Sequence, residues 1–483
     1  MHRPLLISCL AALLLSACSG LPNNDKPIAK ATVTTTTTAT DTSAATTTAI
    51  ANVTVIDAIN GSRPNQTVIY SGDKIIAVQA ASMTYRADTV IDGSGKYLIP
   101  GLWDFHVHLS YDDRFSESMS ALFLNYGITS VRDTGGLLDK VVPLVDIMRA
   151  EGAQAPRVFF AGPLLDGNDV VYDGNARPEI GVRNTTAAEA RATITELKAR
   201  GVDFIKIYEM VSPTVFAAMV EAADELGLPI DSHVPLSMRA SVAGPMVDSI
   251  EHLRNIEMDC AANAEQLHAE RLMQLANEGG ISGYQLRSNL HQSQRLSAID
   301  NYSEQHCDKT LASLMRTLQV PTLRLNTITR FPPSMREGWT KALALSPLAV
   351  QQEWAPLSAR LTQGAASADA RFADWSLFLT GRMYQQGIPI AAGTDTPIGL
   401  SVPGFSLHSE LEMLVQAGLP PIEAIRAATL RPAEYFSLQH KMGSIDVGKR
   451  ADLVLLDKNP LLNIRHTRSI TAVISKGSLV PRD

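Results

Sequence analysis

Between Leu98 and Thr394 the chain repeats one pattern, a short apolar run followed by a longer amphipathic stretch. The β-rich runs lie near Leu98–Val107, Ser130–Asp133, Arg157–Ala161, Phe204–Tyr208, Pro229–Val234, Ser249–Leu253, Thr322–Asn326 and Ile388–Thr394. Stretches with helical spacing, such as Ala187–Ala199 and Pro213–Leu226, fall between them. Parallel neighbours need a long crossover, usually a helix, so this alternation reads as parallel βα units. Eight such strands predict an α/β chain built on a TIM-type (β/α)8 barrel, with its chemistry at the C-terminal strand ends. Asn255–Val320 is too long for one crossover and is expected to form helices over the barrel mouth or side.

The flanks read differently. Val53–Asp57, Thr67–Tyr70 and Lys74–Val78 are short β runs punctuated by Asn60-Gly61 and Gly72-Asp73 turns, which predict a small antiparallel domain. Ala451–Leu456 and Ala472–Ile474 are similar strands near the other end. An apolar share of 45% with 19% charged residues suits a soluble globular enzyme with a large core. A net charge of -7 without a basic patch argues against nucleic acid as a partner.

His2-Arg3 and the apolar Leu5–Leu15 form a short secretory leader, ending in Leu15-Ser16-Ala17-Cys18. Small residues before a cysteine resemble the bacterial lipoprotein signal, which implies lipidation of Cys18 and membrane attachment through that anchor. Residues 1–18 are then the signal with its lipobox, and Ser19 favours the outer membrane, facing the periplasm. Ordinary cleavage after Ala17 is the alternative. Residues 19–48, with threonine runs at Thr34–Thr38 and Thr46–Thr48, read as a tether that cannot bury enough apolar surface to order itself. No later stretch is long and apolar enough for a transmembrane helix. In an oxidising compartment Cys260 and Cys307 either form a disulfide or stay two buried thiols.

Chemistry-bearing residues sit at the ends of the predicted strands. His106 and His108 flank Val107 in the first, and period-two alternation points both imidazoles the same way. Alone, such a pair is as compatible with core or surface histidines as with a metal. The fourth strand carries Lys206 among Phe204, Ile205, Ile207 and Tyr208, where an unpaired cation is costly to bury. Either a carboxylate such as Asp203 or Glu209 neutralises it, or carbon dioxide converts it to a carbamate, an anionic oxygen ligand. His233 and His252 end the fifth and sixth strands, and Asp395 follows Gly393-Thr394 at the end of the eighth. His268, His291 and His306 show no ligand-like spacing, and Arg132-Asp133 reads as a structural pair. Asp166–Tyr172 is placed to be a substrate loop.

His106-x-His108, Lys206 within Ile-Lys-Ile, His233, His252 and Gly393-Thr394-Asp395 together resemble the metal-dependent amidohydrolase superfamily. Pro100-Gly101-Leu102 and Gly448–Leu453 are further traits similar to that superfamily, and His408–Glu412, Ala417–Pro421 and Ala427–Thr429 are similar to its imidazolonepropionase-like and prolidase-like branch. The resemblance spans roughly Ile50–Gly477. It implies a small β-sandwich domain built from both chain ends, residues 49–97 and 440–483, flanking a barrel of residues 98–439. It also implies two divalent metal ions, zinc being the expected one. His106, His108 and Asp395 would bind the first, His233 and His252 the second, and carbamylated Lys206 would bridge them. A metal-bridging hydroxide would attack the amide carbonyl, with Asp395 as general base and then general acid. Several dipeptidases of that branch carry a tyrosine two residues after the fifth-strand histidine, where this chain has Pro235. Tyr208 or Arg254 would take its place in substrate binding, or serve as a packing tyrosine and an arginine paired with Glu251 or Glu257.

The expected activity is hydrolysis of amide bonds in small substrates such as dipeptides or N-acyl amino acids, with the oligomeric state open. The alternatives are hydrolysis of a lactone or phosphoester, and a non-catalytic binding lipoprotein.

Overall fold

The structure, a computed structural model, describes residues 46–277 and 279–481. Cys18, the leader and almost all of the tether lie outside these residues. Five strands open the described chain: β1 Thr47–Asp57, β2 Gly61–Ser71, β3 Lys74–Ala80, β4 Thr89–Asp92 and β5 Tyr97–Pro100. Nine short strands follow: β6 Leu102–Val107, β7 Ile128–Asp133, β8 Arg157–Phe160, β9 Leu164–Asp166, β10 Gly181–Arg183, β11 Ile205–Ile207, β12 Ile230–Ser232, β13 Ser249–Glu251 and β14 Leu318–Val320. The chain ends with β15 Leu453–Leu456, β16 Ile470–Ser475 and β17 Ser478–Leu479.

Strands from both chain ends share one sheet, in the order β17-β16-β15-β5-β1-β2-β3, with β4 also on β1. The expected sandwich of separate sheets is therefore one continuous hydrogen-bonded sheet. Its apolar residues, including Ile50, Val55, Val68, Leu98, Leu453 and Ile474, form a core of their own. Turning points fall where the sequence placed them, since Gly61 and Gly72 both take left-handed φ.

The middle strands form two all-parallel sheets, ordered β6-β7-β8 and β10-β9-β11-β12-β13-β14. Asp203 N–H donates to Phe160 O at 2.9 Å, linking the end of β8 to the approach to β11. On the other side, Ala391 N–H donates to Gln319 O and Phe105 N–H to Ala392 O, both at 2.9 Å, so residues 389–396 run between β14 and β6. Helices connect the strands, and Pro213–Leu226 shows why they stop where they do. Ser212 caps its first turn by accepting from Val215 N–H, Pro213 sits at N1, and Gly227 closes it in the left-handed region. Its buried face, with Val215, Phe216, Met219 and Ala223, joins the main core.

Three expectations about strands need correction. The first predicted strand, Leu98–Val107, breaks at Pro100-Gly101: β5 joins the mixed sheet and β6 the parallel one. The seventh is β14, four residues before the predicted Thr322–Asn326. Pro321 cannot donate to a ladder, Thr322 turns at φ +45, and Leu323–Asn326 is a helical turn. The eighth, Ile388–Thr394, pairs only through isolated parallel bridges at Ile390 and Thr396. The pair β9 and β10 was not foreseen, each being three residues long.

The excursion after β13 folds into helices that include Ala264–Leu275, Gly283–Asp300 and Glu304–Ser313. Cys260 and Cys307 form a disulfide across it, closing a separation of 47 residues. Loop closure of that length contributes roughly 3–4 kcal/mol by constraining the unfolded chain. Cys260→Ser with Cys307→Ser should lower the urea midpoint accordingly, and reductant should shift the native protein but not the double variant. Among the described residues no helix is long and apolar enough to cross a membrane.

Candidate metal centre

Alternation along β6 does what the sequence suggested. The His106 and His108 rings lie 5.3 Å apart, and Asp395 meets both, its Oδ1 being 3.1 Å from each Nε2. Ligand atoms of these three residues all fall within 4.8 Å of one another. Asp395 N–H donates to His106 O at 2.7 Å, so the backbone itself sets this meeting. Gly393 permits it, because a Cβ there would stand 2.6 Å from His106 Cβ. Asp395 and His252 hold φ values of +61 and +62, sparsely populated for residues other than glycine and a cost the surrounding structure must impose.

Each histidine is fixed through Nδ1. His106 Nδ1 donates to Glu251 at 2.5 Å, His108 Nδ1 to Gly135 O at 3.0 Å, and His233 Nδ1 to Glu209 at 2.6 Å. His252 Nδ1 pairs with Thr322 Oγ1 at 2.7 Å. With its Nδ1 proton committed to a carbonyl, His108 turns the Nε2 lone pair toward Asp395 Oδ1, another acceptor. Buried His106 Nε2 faces the same oxygen without a hydrogen-bond partner. Acceptors crowded at 3.1 Å repel unless a cation lies among them, and imidazoles anchored at their second nitrogen are how proteins hold metal ligands. The residues therefore fit a divalent cation.

The electrostatics agree. Burial pushes His106 down, but Glu251 and Asp395 together outweigh it and raise the imidazole to about 9. Those carboxylates call for a positive charge, which a metal would supply in place of the proton. Burial, aided by the Lys206 charge, pushes His233 down to about 4, and burial takes His252 well below its usual value. Both are neutral imidazoles, the form that ligates. Burial would raise Asp395, yet its close contacts with His106 and His108 hold its carboxyl well below the usual carboxylate range.

Lys206, His233, His252, Tyr208 and Arg254 line the same cavity as His106, His108 and Asp395. Lys206 Nζ lies 2.9 Å from Asp231 Oδ2, a partner the sequence did not single out. Lys206 and Asp231 are register partners in the parallel pair β11 and β12, so they share a face. Asp203 instead accepts from Phe160 N–H at 3.0 Å. The Tyr208 ring lies 4.5 Å from that of His233. Arg254 approaches Glu209 at 3.6 Å, rather than Glu251 or Glu257. Tyr172, from the expected substrate loop, also lines the cavity.

Sequence reasoning missed the groups that brace the ligands. Arg132 does not pair with Asp133: it donates to Glu251 at 2.5 Å and Phe105 O at 2.7 Å, and stacks over the Phe105 ring. Asp133 accepts from Leu109 N–H at 2.6 Å. His291, without ligand-like spacing, donates through Nε2 to Glu209 at 2.7 Å. Glu251, adjacent to His252 in the sequence, joins His106 Nδ1 to Arg132, accepting from both at 2.5 Å.

Comparison with known proteins fits this arrangement. The sequence pattern of the Amidohydrolase family matches residues 97–282 and 380–480, more than half of the chain. A 5-methylthioadenosine/S-adenosylhomocysteine deaminase of Thermoanaerobacter pseudethanolicus is 22% identical over 429 residues, covering 81% of this chain and 80% of the relative. An imidazolonepropionase of Geobacillus kaustophilus is 32% identical over 106 residues, 21% of this chain and 25% of the relative. Among solved structures, a Xaa-Pro dipeptidase with bound methionine shares the fold at 20% identity and a TM-score of 0.62, covering 90% of this chain and 99% of that one. A putative prolidase from Bifidobacterium longum does so at 24% identity and 0.61, covering 91% and 95%. The chain belongs to the amidohydrolase family.

Proposed function

We propose that the chain is a metal-dependent hydrolase of amide carbon–nitrogen bonds in small substrates such as dipeptides or N-acyl amino acids. The observation that carries this reading is the convergence of His106 Nε2 and His108 Nε2 on one Asp395 oxygen at 3.1 Å, with each imidazole anchored through its Nδ1. The names of the relatives, a deaminase, imidazolonepropionases and a Xaa-Pro dipeptidase, support a carbon–nitrogen bond as the target. The backbone links from β8 to β11 and from β14 to β6 support a TIM-type barrel as the scaffold.

His106, His108 and Asp395 would hold one divalent cation, and His233 and His252 a second, with a carbamate on Lys206 between them. Bound there, the cations, zinc by the imidazole-rich donor set, would lower the pKa of a water and polarise the substrate carbonyl. Asp395 takes the proton of the attacking water and passes it to the departing amine. Its low proton affinity in the resting site, set by two histidine contacts, keeps it ready as a base. Glu251, Gly135 O, Glu209 and Thr322 hold the four imidazoles in register, while Tyr208 and Arg254 meet the substrate. Cys18 would tether the domain to the cell envelope.

Protein lacking residues through Thr48, purified without chelator, should contain zinc, manganese or cobalt, and should hydrolyse members of a dipeptide and acyl amino acid library with bicarbonate present. Turnover confined to lactones or phosphotriesters would overturn the amide assignment, and failure to take up any metal would overturn the enzyme reading.

A further inference from the structure

Arg324 is a buried cation, and among the described residues its guanidinium donates only to main-chain carbonyls. Nε reaches Thr394 O at 2.7 Å, Nη1 reaches Gly399 O at 3.0 Å and Nη2 reaches Ile398 O at 2.5 Å. Buried charges are ordinarily paired, so a fold that keeps this one without a carboxylate uses its shape. The three carbonyls are not scattered. Asp395, Gly399 and Leu400 hold φ values of +61, +64 and +57, and each directly follows one of them. A carbonyl fixed by a hydrogen bond fixes its whole planar peptide, from which the next residue departs. Arg324 thus sets the peptide before every left-handed residue of segment 394–400. Gly399 leaves room for this, since a Cβ there would stand 2.7 Å from Leu325 Cδ1 and 3.2 Å from Arg324 Nη2. Thr394 is gripped from a second side, its N–H donating to Asp104 at 3.0 Å and its hydroxyl at 2.6 Å.

Arg324 is itself held. Glu410, on the helix Phe405–Gln416, accepts from Leu323 N–H at 2.9 Å and from Arg324 N–H at 2.6 Å. The same helical turn reaches the ligands on β13, because Asn326 Nδ2 donates to His252 O at 2.8 Å, the carbonyl before left-handed Leu253 at φ +61. We infer that Arg324 is the positioning residue for Asp395. Its fork holds the left-handed segment that aims the carboxylate at His106 and His108, and Glu410 fixes Arg324 in turn. A lysine would keep the charge, but one ammonium cannot reproduce the planar fork that spans three carbonyls. This inference rests on the metal-dependent hydrolase reading above.

Arg324→Met should lower kcat by about 10- to 100-fold with KM nearly unchanged, the scale on which groups bracing metal ligands act. Ile194→Ala, which truncates a buried side chain on Ala187–Ala199, controls for lost stability and should keep kcat. Two further measurements need no substrate. Chelator competition should show cobalt held at least about tenfold more weakly in Arg324→Met, with an altered visible spectrum, and unaltered in Ile194→Ala. In metal-free protein, amide exchange over residues 394–400 should quicken in Arg324→Met and not in Ile194→Ala. Arg324→Lys should resemble Arg324→Met. Glu410→Gln should move the same measurements less far in the same direction, and it carries the test if Arg324→Met does not fold. The two residues act through one contact, so the double variant should be no worse in kcat than Arg324→Met. Unchanged cobalt affinity and exchange in the folded variants, or full recovery of both by Arg324→Lys, would overturn the positioning role and leave the hydrolase reading standing. Weaker cobalt binding and faster exchange in a protein that hydrolyses no amide would uphold the positioning role and overturn the hydrolase. An unaltered chain that takes up no cobalt would overturn both.

Discussion

Asp395→Asn should lower kcat by about a thousandfold, within the range that positioned acid–base groups contribute, while leaving thermal unfolding nearly where it was. The asymmetry follows from what the side chain does in each role. As part of the fold, Asp395 contributes chiefly its shape and a backbone at φ +61. Asparagine matches the shape and tolerates the left-handed region as well as aspartate does. In the proposed site, the carboxylate, whose Oδ1 lies 3.1 Å from Nε2 of both His106 and His108, would ligate a cation and carry a proton between water and amine. An amide oxygen ligates weakly, and the amide does not titrate. Metal content measured beside kcat separates the two losses. A variant that keeps its metals and still loses turnover has lost the proton carrier, whereas undiminished turnover would remove Asp395 from the mechanism.

What could be read from the sequence follows the period of each signal. Period two on β6 placed His106 and His108 on one side, and short apolar runs between helices gave the parallel strands. Composition located the disulfide partners by elimination, with Cys260 and Cys307 the two cysteines left beyond the leader and Cys18. Partners set by three-dimensional register were harder to see. Lys206 meets Asp231 because two three-residue strands run parallel in one register, whereas sequence proximity favoured Asp203 and Glu209. His291 reaches Glu209 across 82 residues, carried by a helix whose docking no local pattern announces. Strand ends misplaced by a few residues, as at Thr322, fall where a proline and a positive φ override β-propensity.

Lys206→Ala discriminates most sharply between the two roles open to that buried lysine. Lys206 Nζ pairs with Asp231 at 2.9 Å, and Asp231 also accepts from Ser249 Oγ at 2.8 Å, with Arg132 at 3.7 Å. Were the ion pair the whole function, truncation would strand a buried carboxylate at a cost of about 3–5 kcal/mol. The double change Lys206→Ala with Asp231→Asn would then recover both stability and activity. A carbamate alters that expectation. Capture of carbon dioxide by the neutral amine forms an N–C bond and releases a proton, turning the partner of Asp231 from a cation into an anion. Two anions at that spacing are tolerable only with cations beside His233 and His252, so carbamylation and metal uptake must be coupled. The expected result is therefore loss of one metal per chain in Lys206→Ala, with activity down at least about 100-fold, the upper scale of losses from weakened metal sites. The double variant should regain stability without regaining activity, and a small carboxylate such as propionate should restore part of the turnover by supplying the missing oxygens. Full activity in the double variant would mean that Lys206 serves only its salt bridge.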